Sequence, residues 1–267
     1  MDEEALADVA FLASSPNRVR ALDALTDRSH ERHELEEKVG ISRMTAKRIL
    51  DAFEARGWVR RGERGYGTTP LGDAIAAEFG GLLNTIGTMR TLATVREWLP
   101  VEAFDFDLRR FATAHITYTT KSDSIAPIRR GIARIGTAKT LYMVMASVAA
   151  EGLATQRDAV VENGQETEIV VSAGVLDVIA KDPSMRTHLR EIIEAGGRVY
   201  RHEEVDYILF DCGDSAMIGL IDETGAPRGL IESNDEVVRE WVRSTFEAHR
   251  AAAEPVAADE LSRVTGE

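Results

Sequence analysis

The residues of this sequence best suited to chemistry form a cluster of basic side chains between positions 40 and 69. The stretch holds seven basic and three acidic residues, a local net charge of 7 − 3 = +4, whereas the whole chain of 267 residues carries −13. Guanidinium and ammonium groups bind phosphate through charge-assisted hydrogen bonds. A basic cluster kept on an acidic chain therefore predicts an anionic partner.

The pattern within this stretch predicts a helix followed by a hairpin. Ser42 is a good helix N-cap, Ile49 and Phe53 lie on one apolar stripe at helical spacing, and Gly57 stands where a helix would stop. Two short strands joined by a glycine-containing turn are predicted within residues 58–69. A helix followed by an arginine-bearing hairpin predicts a winged helix-turn-helix, whose helix enters the major groove while the wing touches the DNA backbone.

The candidate DNA contacts lie at the helix start, on the helix face opposite the apolar stripe, or on the hairpin. They are Ser42, Arg43, Thr45, Lys47, Arg48, Arg60, Arg61, Arg64 and Tyr66. The alternative is an ordinary solvated amphipathic helix beside a hairpin. Because the cap, stripe, stop, wing and charge all agree, the DNA-binding interpretation is favoured.

Length and composition set the outer bounds. A chain of 267 residues that is 44% hydrophobic fits two modest domains. The longest apolar run, residues 141–150, is about half a membrane span, and the acidic start does not resemble a signal peptide. Cys212 is the only cysteine, so we expect no intramolecular disulfide and no zinc site built on thiolates. We also expect no other metal site and no cofactor. The protein should be cytoplasmic and without membrane contact. Only five basic residues are lysine, and an acidic, lysine-poor surface suits a halophile.

The elements before and after the basic stretch must position it. A first helix is predicted over residues 3–13, and its apolar face is assigned to Leu6, Val9, Ala10 and Ala13. From residue 71 to 98 apolar residues recur at helical steps and predict a long linker helix. The part of this stripe at Leu82, Ile86 and Met89 is either a dimer seam or a face that packs on its own domain. The seam is favoured, because most DNA-binding proteins of this type pair half-sites as dimers.

Here the sequence resembles a known family. The runs Val39-Gly-Ile-Ser-Arg-Met-Thr-Ala-Lys-Arg-Ile-Leu and Phe53-Glu-Ala-Arg-Gly-Trp-Val look like the archaeal winged-helix regulators of the ArsR/TrmB type. The run Arg96-Glu-Trp-Leu-Pro-Val-Glu-Ala-Phe-Asp-Phe-Asp-Leu is similar to the junction to the sensor domain of the FilR filament regulator of methanogens. The resemblance implies sequence-specific transcription control on double-stranded promoter DNA, by a homodimer tuned by a small effector.

Strands and helices alternate in the second half of the chain, which predicts an α/β domain with a mixed, mainly parallel sheet. The segment around residues 188–200 resembles the phospholipase-D-like fold. The fold class is therefore α+β, with a winged helix-turn-helix, a linker helix and a phospholipase-D-like sensor. The predicted boundaries are 1–70 for the DNA-binding domain, 71–99 for the linker, 103–250 for the sensor and 251–267 for a flexible acidic tail.

The second domain is predicted to lack catalysis. Phospholipase D chemistry needs a His-x-Lys motif, but His115, His188 and His202 are each followed two residues later by a residue other than lysine. Walker, Gly-x-Ser-x-Gly and dinucleotide-binding motifs are absent from the sequence. Cys212 lies in an apolar strand pattern and is interpreted as a core residue.

A ligand of an open α/β sheet binds beyond the carboxyl ends of the strands. The candidate effector contacts at these ends are Thr120, Lys121, Ser147, Ser172, Gly174, Arg201 and His202. Hydroxyls, helix starts and basic groups suit a sugar or sugar phosphate. The alternative, that these residues are ordinary caps and strand ends, is the better-supported one residue by residue.

Three functions remain open from the sequence. The first is a dimeric transcription regulator with an effector-binding domain. The others are an enzyme of the phospholipase-D-like fold carrying a DNA-binding appendage, and a DNA-bound scaffold without a small ligand.

Overall fold

The amino-terminal part of the chain folds around the aromatic side chains of Phe11, Phe53 and Trp58, whose ring centroids lie 5.9–6.2 Å apart. A computed structural model describes residues 2–259 and 261, and divides the chain into two units, Met1–Ile86 and Gly87–Glu267. The elements of the first unit are α1 (Glu3–Ala13), α2 (Pro16–Asp27), α3 (Arg32–Val39), α4 (Arg43–Ala55), β1 (Val59–Gly62), β2 (Gly65–Thr68) and the start of α5 (Pro70–Leu92). This is a winged helix-turn-helix, as predicted.

Each helix of this unit contributes to a single core. Phe53, Leu50 and Leu35 are almost completely buried. Helix α4 begins after Ser42, whose side chain accepts a hydrogen bond from the Thr45 backbone N–H at 3.3 Å. The core therefore fixes which face of α4 remains exposed.

The predicted apolar face of α1 is wrong. Leu6 and Val9 are 56% and 43% exposed, and the helix packs through Phe11 and Leu12 instead. Apolar residues occur nearly all round this helix, so their spacing did not select a face. Burial of the apolar surfaces of Phe11 and Leu12 against the core sets the orientation of the helix.

The second unit contains an eight-stranded sheet. Its strands follow the order β10-β6-β5-β4-β7-β8-β9-β3. The strands are β3 (His115–Tyr118), β4 (Thr140–Met145), β5 (Glu166–Ser172), β6 (Arg198–His202), β7 (Ile208–Asp211), β8 (Ala216–Ile221), β9 (Pro227–Ser233) and β10 (Glu254–Pro255). The helices are α6 (Ala126–Ile135), α7 (Ala150–Asn163), α8 (Ala173–Lys181), α9 (Pro183–Glu194) and α10 (Glu236–Ala251). The mixed sheet with helices agrees with the predicted fold class.

The expectation of a mainly parallel sheet is wrong. Among the described strands of this sheet, only β4 with β5 and β5 with β6 pair in parallel, and the other pairs are antiparallel. Helices α7, α8 and α9 provide the long crossovers that parallel strands need, whereas β7, β8 and β9 follow one another through short turns. Short turns can join only antiparallel neighbours.

The sheet is buried on both faces. Alternate residues of β4 and β5 reach opposite cores: Met143 and Ile169 pack with α6–α9, while Val144 and Val170 pack with α10. Three 3-10 segments, Arg96–Trp98, Val101–Ala103 and Leu108–Thr113, precede β3.

The junction motif of the sequence packs on α10. The Phe104 and Phe106 rings lie 5.0 and 6.0 Å from Trp241, whose indole Nε1 donates to the Ala103 carbonyl at 3.1 Å. The aromatic pairs and the satisfied indole therefore fix the segment that enters the second unit.

The predicted loose tail beyond Ala251 is partly ordered. Strand β10 pairs with β6, and the Val256 N–H donates to the Val199 carbonyl at 2.8 Å. Val256 and Leu261 are buried in the core of α6–α9. Residues 260 and 262–267 of the predicted tail lie outside the described residues.

The linker stripe is divided between exposed and packed residues. Leu82, Leu83 and Ile86 are 44–48% exposed. Met89, by contrast, packs against the core of the second unit. Among the described residues, no helix is both long and apolar enough to cross a membrane.

Candidate DNA interface and strand-end site

The outward face of α4 presents two arginines without ionic partners. Arg43 and Arg48 are exposed, and neither forms an ion pair with any residue that the structure describes. Met44 beside them is 82% exposed. Since an unpaired guanidinium can reach a phosphate or a base edge without first breaking a contact, these two are the best-placed groups of the helix.

The other predicted contacts of α4 are already engaged. Lys47 pairs with Asp51 at 2.7 Å, and this carboxylate raises the pKa of the Lys47 ammonium group. Ser42 and Thr45 share a hydrogen bond of 3.0 Å between their hydroxyls at the helix start. Ser42 therefore acts first as the helix cap, and Lys47 remains charged.

The wing turns at Glu63 and Arg64, between β1 and β2. Arg60, Arg61 and Arg64 are exposed, and the Arg61 guanidinium lies 5.7 Å from the centre of the Tyr66 ring. The half-buried Tyr66 thus supports an arginine of the wing.

A basic groove runs beside the wing and includes residues that the sequence did not single out. Arg28 and Ser29, in the connector between α2 and α3, line it together with the three wing arginines. Arg28 is held by Glu34 at 3.2 Å. The backbone pairing of His30 with Tyr66 of β2 brings this connector to the wing. The local sequence pattern does not predict this contact.

One basic residue of the cluster, Arg56, contacts other residues of the protein and does not face outward. The Arg56 side chain binds Asp8 at 2.8 Å and lies 3.8 Å over the Phe11 ring. Arg56 therefore ties α4 to α1, and the net charge counted along the sequence overstates the charge that faces outward.

Five of the predicted effector residues lie at the carboxyl ends of three neighbouring parallel strands. They are Ser147 after β4, Ser172 at the end of β5 with Gly174 after it, and Arg201 and His202 at the end of β6.

Several of these groups already have partners. Ser172 caps α8 by accepting from the Val175 N–H at 3.1 Å, Arg201 pairs with Glu203 at 3.1 Å, and His202 Nδ1 accepts from the Glu204 N–H at 3.2 Å. A polar ligand at this edge would therefore compete with local hydrogen bonds.

Thr120 and Lys121 do not join this group, which corrects the predicted site. They follow β3, which pairs with β9 at the opposite end of the sheet, four strands from β4. Four steps of about 4.8 Å give a separation of roughly 19 Å. The prediction grouped the end of β3 with the other strand ends, but β7, β8 and β9 lie between β3 and β4.

Cys212 of the second unit is buried. Burial raises the pKa of the Cys212 thiol to about 11, so the sulfur is protonated at neutral pH and is a poor nucleophile. Within residues 2–259 and 261, no group of three or more His, Cys, Asp or Glu side chains could hold a metal ion.

A winged helix-turn-helix with exposed arginines, followed by a domain with a mixed sheet, defines a DNA-binding transcription regulator. Residues 6–91 match the HVO_A0261 N-terminal domain family, and residues 125–252 match the middle domain of the methanogenesis regulatory protein FilR1. Both matches agree with the resemblance stated from the sequence, to winged-helix regulators with a FilR-type sensor domain. None of the curated proteins matches the chain.

Solved structures give more distant likenesses. TrmBL2, an archaeal chromatin protein, is 14% identical over 93% of this chain and 98% of its own, with a TM-score of 0.44. The phospholipase D family member Nuc from Salmonella typhimurium is 10% identical over 54% of this chain and 97% of its own, with a TM-score of 0.43. NucT from Helicobacter pylori is 9% identical over 54% and 98%, with a TM-score of 0.41.

Proposed function

We propose that this regulator binds specific sites on double-stranded promoter DNA as a homodimer and that a small molecule bound by its second unit changes its affinity for DNA. The observation that carries the proposal is that Arg43 and Arg48 are exposed and form no ion pair with a described residue, on a recognition helix whose opposite face is buried. A helix fixed in this way can present its side chains to the major groove without reordering.

The proposed DNA contacts combine base readout with backbone contacts. Arg43, Arg48 and Thr45 would reach base edges, while Ser42, Lys47, Arg60, Arg61, Arg64 and Tyr66 would hold the phosphate backbone. Arg28 joins the backbone group, because it shares the wing groove. The wing contacts would fix the register in which the helix reads the sequence.

Exposed apolar residues of α5 support the homodimer. Leu82, Leu83 and Ile86 expose large hydrophobic side chains within about one turn of one helix. Clustered exposed apolar residues of this kind mark an interaction surface. A dimer would also place two recognition helices on two half-sites.

A polar effector such as a sugar or sugar phosphate would bind at the strand ends. Ser147, Ser172, Gly174, Arg201 and His202 supply hydroxyls, a helix start and positive charge there. This arrangement supports a sensor that lacks catalysis, because these groups bind ligands without forming a nucleophile–base pair.

Sequencing of genomic DNA fragments retained by the purified full-length protein tests this function. We expect a shared motif with two related half-sites, lost in the Arg43→Ala/Arg48→Ala double variant. Titration with glucose and glucose 6-phosphate should then change the affinity for a motif duplex. A motif without any effect of metabolites would support the ligand-free scaffold, and retention without a motif would refute sequence-specific regulation.

A further inference from the structure

A cavity of about 100 Å³ lies in the second unit between helices α6 and α7 and the sheet. We propose that this cavity binds a small apolar molecule that carries one hydrogen-bond donor. As the effector site of the sensor this inference rests on the proposed function, but binding itself can be measured without DNA.

The chemistry of the walls selects an apolar ligand. Side chains such as Met143, Met145, Leu153 and Leu230 line the cavity, and Ser147 and Gln156 are the two polar residues among those lining it. A sugar would lose its hydrogen bonds to water here and find few replacements. An aromatic ring or a branched hydrocarbon would instead gain by burying apolar surface against these walls.

The space exceeds what close packing leaves in a protein interior. Interiors hold few voids larger than a water molecule, and the walls of an unfilled apolar cavity lose dispersion contacts. An apolar cavity of roughly 150 Å³ accepts benzene. A cavity of about 100 Å³ is smaller than this, so it admits at most one small ring or a short branched chain.

One hydrogen-bond acceptor in the lining lacks a partner. Gln156 is 1% exposed, and its Oε1 is buried with no hydrogen-bond partner among the described residues. Its Nε2 donates to Gln165 Oε1 at 2.7 Å and to Thr167 Oγ1 at 2.9 Å.

The network fixes the orientation of this amide. Gln165 Nε2 donates to the carbonyls of Ile135 and Ala138, so its Oε1 must accept from Gln156. Thr167 Oγ1 donates to the Leu141 carbonyl and is likewise left as an acceptor for Gln156. A flipped Gln156 would face two acceptors with its oxygen. The oxygen is therefore the part of Gln156 left for a ligand O–H or N–H, since a buried acceptor without a partner is costly.

Two helical glycines keep the cavity open. A Cβ added at Gly131 would meet nothing closer than Leu230 Cδ2 at 4.0 Å, and one at Gly152 nothing closer than Ile132 Cγ1 at 3.8 Å. Alanine at both positions would fill part of the space without a clash. Because both lie inside helices, alanine also favours the helical backbone. The filled variant should therefore unfold at a higher temperature than the wild type.

The test is methyl NMR of the full-length protein with labelled Met, Leu and Ile residues, titrated with phenol, benzene and glucose 6-phosphate. Phenol should shift the methyl signals of Met143, Leu153 and Leu230. Its hydroxyl should make it bind about threefold to tenfold tighter than benzene, the contribution of one net hydrogen bond. The Gly131→Ala/Gly152→Ala variant should weaken phenol binding about tenfold or more, since small steric changes in apolar pockets act on that scale.

Gly80→Ala provides the matched control, because Gly80 is a helical glycine of the first unit with nothing near its added Cβ. It should leave phenol binding unchanged. Absent shifts at the cavity methyls, or equal affinity in the filled variant, would overturn the site. Equal binding of phenol and benzene would overturn the role of Gln156, and cavity shifts with glucose 6-phosphate alone would reverse the ligand class. Loss of DNA binding would leave all these shifts in place, so failure of the regulator function is distinguishable.

Discussion

The backbones of His30 and Tyr66 exchange two hydrogen bonds, each with an N···O distance of 2.8 Å. Through this pair, the connector between α2 and α3 lies beside the wing hairpin as a third extended segment. The wing is thereby attached to the helical core, and its arginines keep a fixed relation to the recognition helix. The position of the wing depends on residues 36 positions apart in the chain.

Gly65, next to Tyr66, should be essential for this attachment. Its φ of 99° and the closeness of the His30 carbonyl oxygen leave no room for a Cβ. Gly65→Ala should destabilise the first unit by more than the strain alone, which is about 1–3 kcal/mol. Urea titration followed by NMR amide signals of the first unit measures this.

Gly57→Ala is the matched comparison, because Gly57 has a φ of 70° but nothing within 4 Å of an added Cβ. It should show only the backbone strain. Equal losses in the two variants would mean that the His30 contact does not limit residue 65.

Arg43 and Arg48 should dominate DNA recognition. Alanine at either should cost about 1–3 kcal/mol of binding free energy if it reads a base, and should relax specificity at that base pair. Fluorescence anisotropy on a panel of single-substituted duplexes measures both effects. Arg20→Ala, an exposed arginine on α2, serves as the control. If the Arg43→Ala/Arg48→Ala variant protected DNA as the wild type does, α4 would not be part of the DNA interface.

The first unit should lose stability as the pH falls from 7 to 5. Burial, with the Arg28 and Lys38 charges, lowers the pKa of His30 below its ordinary value of 6.5, and Glu34 only partly opposes this. Below pH 6.5 the unfolded chain then binds more protons than the folded one, so protonation favours unfolding. Urea midpoints at each pH measure the slope. His30→Gln should flatten it, whereas His33→Gln, at an exposed position, should not. An unchanged slope in His30→Gln would assign the effect to other groups.

Aspartate at Ile86 should separate the proposed dimer. Ile86 is 48% exposed on α5, so the substitution need not disturb a core, whereas a carboxylate in an apolar seam is costly. Light scattering should report a monomer, and binding to a duplex with two half-sites should weaken. Glu78→Asp, at an exposed acidic position of the same helix, is the control. A dimer that persists in a folded Ile86→Asp variant would place the interface elsewhere.

The salt dependence of DNA binding should be shallower than the number of basic residues suggests. Each neutralised phosphate contributes about −0.9 to the slope of log K against log[salt]. Lys47 is already paired with Asp51 and Arg56 with Asp8, so fewer cations are free to release counterions. Base contacts would then supply more of the affinity. Titrations from low to high salt measure the slope, and one slope unit per basic residue of the cluster would contradict this account.

The sequence by itself determined the local elements of the DNA-binding unit. The Ser42 cap, the stripe through Ile49 and Phe53, and the stop at Gly57 act within one helix, and neighbouring residues alone decide them. The spacing of residues likewise predicted the hairpin. It also showed that the sequence of the second unit lacks the catalytic motifs considered. The family resemblance followed from such local runs.

Only the tertiary structure decided which strands became neighbours and which side chains remained free. Strand β3 lies at the sheet edge beside β9, so Thr120 and Lys121 lie away from the other predicted strand-end residues. Arg56 turned inward to Asp8, and β10 completed the sheet edge from a segment predicted to be loose. The cavity and the unpaired oxygen of Gln156 arise where two helices and five strands meet. Such relations depend on contacts between residues far apart in the chain, and their energies exceed any local propensity.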